Sequence, residues 1–356
     1  MTNAETRDDT VATQMRRGLS PRRVLSASEG PDSYSTTKQE SGPSLALRTR
    51  RDGEGYPHYA GCVKRIKPRA FLVATIFLFL PALRARSEVV FEQGVEFANP
   101  DNQHLQLDLA RPKDASGKLP AIVCIHGGGF RAGDRKGWDD RCRKLADRGY
   151  VAVTVTYRLA PKYQFPAAVE DCKGAVRWLR LNAGKYHVDR DRIGAAGDSA
   201  GGHLAQFLGV TGDVHDFDGD QNPGVPSNVN CVVNFYGPSD FTKSYGKSVD
   251  AAEVLPLFLG GDVQHERKRH ILASPLYWVT PKAAPTLLIH GTEDKYVNYE
   301  QAQWIYERLR AAEVDVELLT LQGAGHGFKG DDAAKGDAAM FRWFDNHLKG
   351  RGDEIR

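Results

Sequence analysis

Four short segments carry residues whose types and spacing could do chemistry, in the order glycine loop, serine, acid, histidine. They are "IHGGGF" at 125–130, "GDSAGG" at 197–202, "HGTED" at 290–294 and "GAGHGF" at 323–328. A serine hydroxyl is a poor nucleophile at neutral pH. It becomes useful when an imidazole takes its proton and a carboxylate fixes the imidazole tautomer. Ser199, His326 and Asp294 are read as nucleophile, general base and orienting acid. Glu293 beside Asp294 is the rival acid and is expected to face solvent. Consecutive glycines can turn N–H groups toward a developing oxyanion, so Gly127 and Gly128 are candidate donors, with a flexible turn as the competing reading. The Ala200 N–H completes that set. His126 is expected to hold the loop by a hydrogen bond and to move no proton.

The pattern Gly197-Asp198-Ser199-Ala200-Gly201 fits G-x-S-x-G, a motif too short to mean much alone. Its surroundings decide. An apolar strand, "RIGAAG" from Arg192, precedes it, and "SAGGHLAQFLGV" can continue as a buried helix, so the serine sits on a strand-to-helix turn that points its hydroxyl outward. A phosphate-binding loop would need a lysine after the glycines or the G-x-G-x-x-G spacing, and neither is present.

The elements that must hold these residues are legible from about residue 88. Strand candidates begin at Val95, Leu105, Ala121, Tyr150, Arg192, Val229, Pro285 and Val314, and several are continuous apolar runs, as strands covered on both faces should be. Helical spacing appears in Val169, Cys172, Val176 and Leu179 behind Pro166, in Ala302, Ile305, Tyr306 and Leu309, and in Phe341, Phe344 and Leu348. An early antiparallel pair followed by alternating strands and helices implies an α/β fold with a mostly parallel central sheet of about eight strands and helices on both faces. Ligands bind such sheets at the carboxyl ends of the strands, where the four segments fall. The chain order Ser, Asp, His is that of the α/β-hydrolase type.

With "YRLAP" from Tyr157 and "FPAAVEDCKGAVRWLR" from Phe165, these motifs resemble the carboxylesterases of the hormone-sensitive-lipase type, and still more the bacterial feruloyl and acetyl xylan esterase-like branch of the α/β-hydrolases. The resemblance covers roughly residues 88–350. It implies Ser199 as nucleophile, Asp294 as acid, His326 as base, and Gly127, Gly128 and Ala200 as oxyanion donors. One departure is that no long helical segment stands before the first strand, so a large N-terminal cap is not expected. The insertion from about Gly237 to Ala284 is expected to shape the pocket instead.

The remainder bounds the function. A net charge of +3 over 356 residues, with no basic stripe, argues against nucleic acid as partner. Residues 1–62 are polar and charge-mixed, the composition of a disordered tail. Residues 63–87 contain "KRIKPRAFLVATIFLFLPALRARS", with a basic flank, an apolar run and small residues, the layout of an export signal. The expected start of translation is near Val63, and the expected location is periplasmic or extracellular. The alternative is a membrane anchor, and transient membrane contact through this segment belongs to either. Residues 351–356 are a polar tail. Five cysteines without C-x-x-C or histidine spacing indicate no zinc site, and disulfides among Cys142, Cys172 and Cys231 cannot be read from spacing. The loop "DVHDFDGDQN" from Asp213 fits a calcium loop poorly and reads as solvated. The leading expectation is a serine carboxylic-ester hydrolase acting through an acyl-enzyme on short-chain or acetyl esters, small or linked to polysaccharide, with no metal or organic cofactor. The alternatives are a serine peptidase of the prolyl-oligopeptidase type and a non-catalytic ligand-binding member of the fold.

Overall fold

Alternation along a single strand explains the layering. In β3 (Leu119–Ile125), Val123 and Ile125 point into one apolar cluster while Ile122 and Cys124 point into another on the opposite face. A strand buried on both faces needs no polar side, and this is why the sequence reads as one apolar run. The computed structural model describes residues 88–349. The expected tail 1–62, the signal-like segment 63–87 and the end 351–356 lie outside the described residues.

Eight strands form one sheet in the order β1-β2-β4-β3-β5-β6-β7-β8. They are β1 (Val89–Ala98), β2 (Leu105–Pro112), β3, β4 (Val151–Val155), β5 (Val188–Asp198), β6 (Cys231–Phe235), β7 (Thr286–Gly291) and β8 (Val316–Leu321). β2 pairs antiparallel with both β1 and β4, and every pairing from β4 onward is parallel. All eight sequence-expected strands are present. β1 begins six residues before the expected Val95, because this edge strand is mostly half-buried and carries irregular register between Glu92 and Val95, which blurs its alternation.

The helices are α1 (Asp139–Asp147), α2 (Ala167–Leu181), α3 (Ala183–Tyr186), α4 (Ala200–Val210), α5 (Val249–Glu253), α6 (Leu255–Leu259), α7 (Arg267–Leu272), α8 (Glu300–Ala311) and α9 (Gly330–Phe344). α2 and α4 cover one face of the sheet, and α1 and α9 the other. α4 is buried all round. No helix among the described residues is long and apolar enough to cross a membrane.

α2 buries more than its apolar stripe. Lys173, Arg177 and Arg180 are also buried, and they clamp the loop that follows α4. Lys173 Nζ donates to the carbonyls of Thr211 and Val214 and to Asp218 Oδ1, Arg177 to the carbonyls of Gln221 and Asp218, and Arg180 to those of Pro226 and Asn228. In the acidic loop at 213–222, the Asp218 carboxylate and the carbonyls of Val214, Asp218 and Gln221 are thereby taken by side-chain cations of α2, and Asp213 pairs with Lys282. Cys124, Cys142, Cys172 and Cys231 are free thiols in the core.

Candidate active site

β5 ends at Asp198 and α4 starts at Ala200, so Ser199 alone makes the turn between them. It does so at φ 52°, ψ −119°, a conformation that L-residues rarely adopt. Small neighbours permit the turn. A Cβ on Gly201 would collide with the carbonyl of Ile125 at the end of β3. The strand therefore feeds directly into a helix whose first N–H groups lack intrahelical acceptors, with the hydroxyl held at their side.

Ser199, Asp294 and His326 converge from three loops. His326 Nε2 lies 2.9 Å from Ser199 Oγ, and His326 Nδ1 lies 2.8 Å from Asp294 Oδ2. The other oxygen of Asp294 accepts the backbone N–H groups of Tyr296 and Val297 at 3.0 and 2.9 Å. Burial pushes the Asp294 carboxyl up, but hydrogen bonds from His290 and His326 and their charges outweigh burial and hold it down at about 2. Asp294 is thus an anion at any working pH, and Glu293 beside it is exposed. The rings of Tyr236 and Tyr296 stand 4.8 and 5.0 Å from the His326 ring and limit its swing.

His290, in β7, escapes a reading of loops. It is buried, and its Nε2 donates to the Val297 carbonyl at 2.8 Å while standing 3.3 Å from Asp294 Oδ2. It packs the acid from behind. The signal was its place four residues before Asp294 in "HGTED".

The glycine loop corrects one expectation. Gly127 does not offer a free donor, because its N–H is committed to Asp198 Oδ1 at 3.1 Å. A Cβ on Gly127 would stand 2.7 Å from Asp198 Oδ2 and 3.1 Å from the Ser199 Cβ, so this glycine serves close approach to the turn. The N–H groups of Gly128 and Gly129 donate to no acceptor among the described residues. Gly128 has φ 118°, and its carbonyl accepts from Arg131 and Ala132 N–H, which closes the loop back on itself. The glycine N–H groups left without an acceptor are therefore those of Gly128 and Gly129, which with Ala200 at the start of α4 are the candidate oxyanion donors; Gly129 was missed by spacing alone.

His126 holds the loop: its Nδ1 donates to the Gly127 carbonyl at 2.7 Å and its ring stacks on Tyr157 at 4.5 Å. Burial lowers its pKa and keeps the ring neutral. The 237–284 insertion packs on this side of the site. Phe258 stacks on Phe130 at 3.9 Å, and Val254 Cγ2 lies 3.1 Å from where a Cβ on Gly129 would stand. A buried, hydrogen-bonded acid, a histidine and a serine hydroxyl at the start of a helix can transfer an acyl group through the serine. Among the described residues no group of three His, Cys, Asp or Glu side chains could hold a metal ion.

Known proteins share this arrangement of chain. The BD-FAE family model matches residues 107–309. The esterase LipC of Mycobacterium tuberculosis is 37% identical over 237 residues, which are 64% of this chain and 58% of LipC, so the chain spans little more than half of that relative. Among solved structures, a truncated carbohydrate esterase from gut microbiota superposes with a TM-score of 0.66 at 25% identity, covering 75% of this chain and 98% of that one. Esterase 2 of Thermogutta terrifontis, phosphonylated by sarin, superposes at 0.64 and 25% identity, covering 77% and 100%.

Proposed function

Because this chain belongs to the BD-FAE family of α/β-hydrolases, we propose that it is a serine carboxylic-ester hydrolase working through an acyl-enzyme on short-chain or acetyl esters. The observation that carries the reading is the continuous hydrogen-bonded path from Asp294 through His326 to the Ser199 hydroxyl. Ser199 Oγ attacks the ester carbonyl carbon as His326 Nε2 takes its proton. The Asp294 anion stabilises the imidazolium, and the N–H groups of Gly128, Gly129 and Ala200 face the oxyanion. Collapse breaks the ester C–O bond, and His326 returns the proton to the leaving alcohol. Water then repeats the cycle on the acyl-Ser199 ester and regenerates the hydroxyl.

The short-chain preference is supported by the insertion, whose Val254 crowds Gly129 and narrows the space beside the oxyanion loop. An ester linked to polysaccharide is supported by the likeness to a carbohydrate esterase. Export is supported by the basic flank and apolar run of residues 64–87, with anchoring by the same segment as the other outcome; the mass of the mature N-terminus separates them.

The test is hydrolysis of p-nitrophenyl esters of increasing acyl length, with Ser199→Ala as blank. Acetate and propionate should turn over fastest, and Ser199→Ala should fall to background. Turnover retained in Ser199→Ala would remove the assignment.

A further inference from the structure

Away from Ser199 the surface carries an open cleft of about 730 Å³, within the range of small-ligand sites, which shares no lining residue with the triad. One wall is the outer face of α8, with Gln303, Trp304, Glu307 and Arg308. The other belongs to the 237–284 insertion, with Lys243 and Tyr277.

The walls are fastened to each other. Gln301, fully buried on the inner side of α8, accepts the N–H groups of Ser239 and Asp240 through Oε1, both at 2.8 Å. Its Nε2 donates to the Asp240 carbonyl and the Ser244 hydroxyl at 3.0 and 2.9 Å. Both lone pairs and both amide protons of one side chain are spent on joining helix to insertion, so the cleft exists before any ligand arrives.

Its chemistry is specific. Trp304 is half-buried and Tyr277 is 46% exposed, giving two aromatic surfaces. The ammonium groups of Lys243 and Lys247 reach over Trp304 at 4.9 and 5.1 Å from the ring centroid. The side chains of Gln303, Glu307 and Arg308 have no hydrogen-bond or ion-pair partner among the described residues, and a flat amide, carboxylate and guanidinium therefore stand uncommitted within about one turn of α8. A pyranose ring matches this set. Its C–H face is apolar and packs on an aromatic ring, while neighbouring hydroxyls bind in pairs to planar polar groups. A purely apolar ligand would leave these polar ends desolvated and unpaired.

We propose that the cleft between α8 and the insertion is a saccharide-binding site, separate from the ester-cleaving centre, that holds a glycan chain on the protein surface. Binding does not depend on the esterase reading, whereas any gain in turnover on a polymer does, so the two fail separately.

The test uses the full chain with Ser199→Ala, to prevent hydrolysis, and isothermal titration with xylo-, cello-, manno- and galacturono-hexasaccharides. At least one should bind saturably, and adding Trp304→Ala should weaken it by about tenfold or more, the loss of one aromatic contact. Trp304→Phe should retain most of the binding. In the Ser199 background, Trp304→Ala should leave p-nitrophenyl acetate hydrolysis unchanged, which reports an intact fold. Should Trp304→Ala fold poorly, the surface pair Gln303→Ala with Glu307→Ala replaces it, with the same loss expected. No binding by any of the four saccharides, or equal binding with and without the cleft substitutions, would overturn the proposal.

Discussion

The carboxylate of Asp198 accepts the N–H of Gly127 at 3.1 Å and the indole N–H of Trp138 at 2.6 Å. One oxygen therefore ties the residue before the nucleophile to the first glycine of the oxyanion loop. The loop and the serine cannot drift apart without breaking this link. Misplacement by a fraction of an ångström matters for oxyanion donors, whose value depends on being aimed before reaction begins.

Removing the link should cost rate more than binding. Asp198→Ala is expected to lower kcat by about tenfold to a hundredfold with a smaller change in KM, within the range for impaired oxyanion donors. Asp198→Asn keeps an acceptor and should retain most activity. Steady-state kinetics on p-nitrophenyl acetate separates the two, and equal losses would point to the charge instead of the acceptor.

His290 should act through Asp294. The folded-state carboxyl sits at about 2 against an ordinary 3.8, so its contribution to stability is complete above about pH 4 and is lost as pH falls through about 2. The full shift corresponds to about 2 kcal/mol, shared between His290 and His326. His290→Phe is expected to move the acid-unfolding midpoint to higher pH, cost about 1 kcal/mol near neutrality, and lower kcat several-fold. An unchanged acid midpoint would show that His290 only fills space.

The turn at Ser199 stores strain, because φ 52° combined with ψ −119° lies outside the left-handed helical region and suits glycine far better than any other residue. Ser199→Gly should be inactive yet more thermostable than Ser199→Ala by about 1 kcal/mol, the gain being limited by the freer unfolded chain. Calorimetry of the two variants at one pH measures it. Equal melting temperatures would mean that the strain is negligible.

Asp250 lies in α5, 4% exposed, with Oδ1 unpartnered. Burial pushes its carboxyl up to about 7, partly opposed by the Ala251 N–H and the nearby His326. Between about pH 4 and 7 the unfolded chain releases this proton and the folded chain keeps it, so stability falls as pH rises. Asp250→Asn is expected to raise Tm by several degrees at pH 8 and to change it little at pH 4. A gain of the same size at both values would exclude ionisation as the cause.

Much of this protein was legible along the chain. Apolar runs marked the parallel strands because a strand covered on both faces has no polar side to show, and helical spacing marked α2 and α8 because apolar residues recur on the face that each turns to the core. Ser199, Asp294 and His326 stood out because loops after parallel strands gather at one edge of the sheet, whatever their separation in sequence. What spacing could not reveal was the allocation of hydrogen bonds. Gly127 and Asp198 are 71 positions apart, and nothing in either segment says that one's N–H is taken by the other's carboxylate. That pairing removes Gly127 from the candidate donors and leaves Gly128, Gly129 and Ala200. The same holds for His290 behind the acid and for Gln301 joining α8 to the insertion. Residue type sets which groups can donate, accept or ionise. Which of them are already satisfied, and which remain free to meet a substrate, depends on contacts that exist only once distant segments have packed.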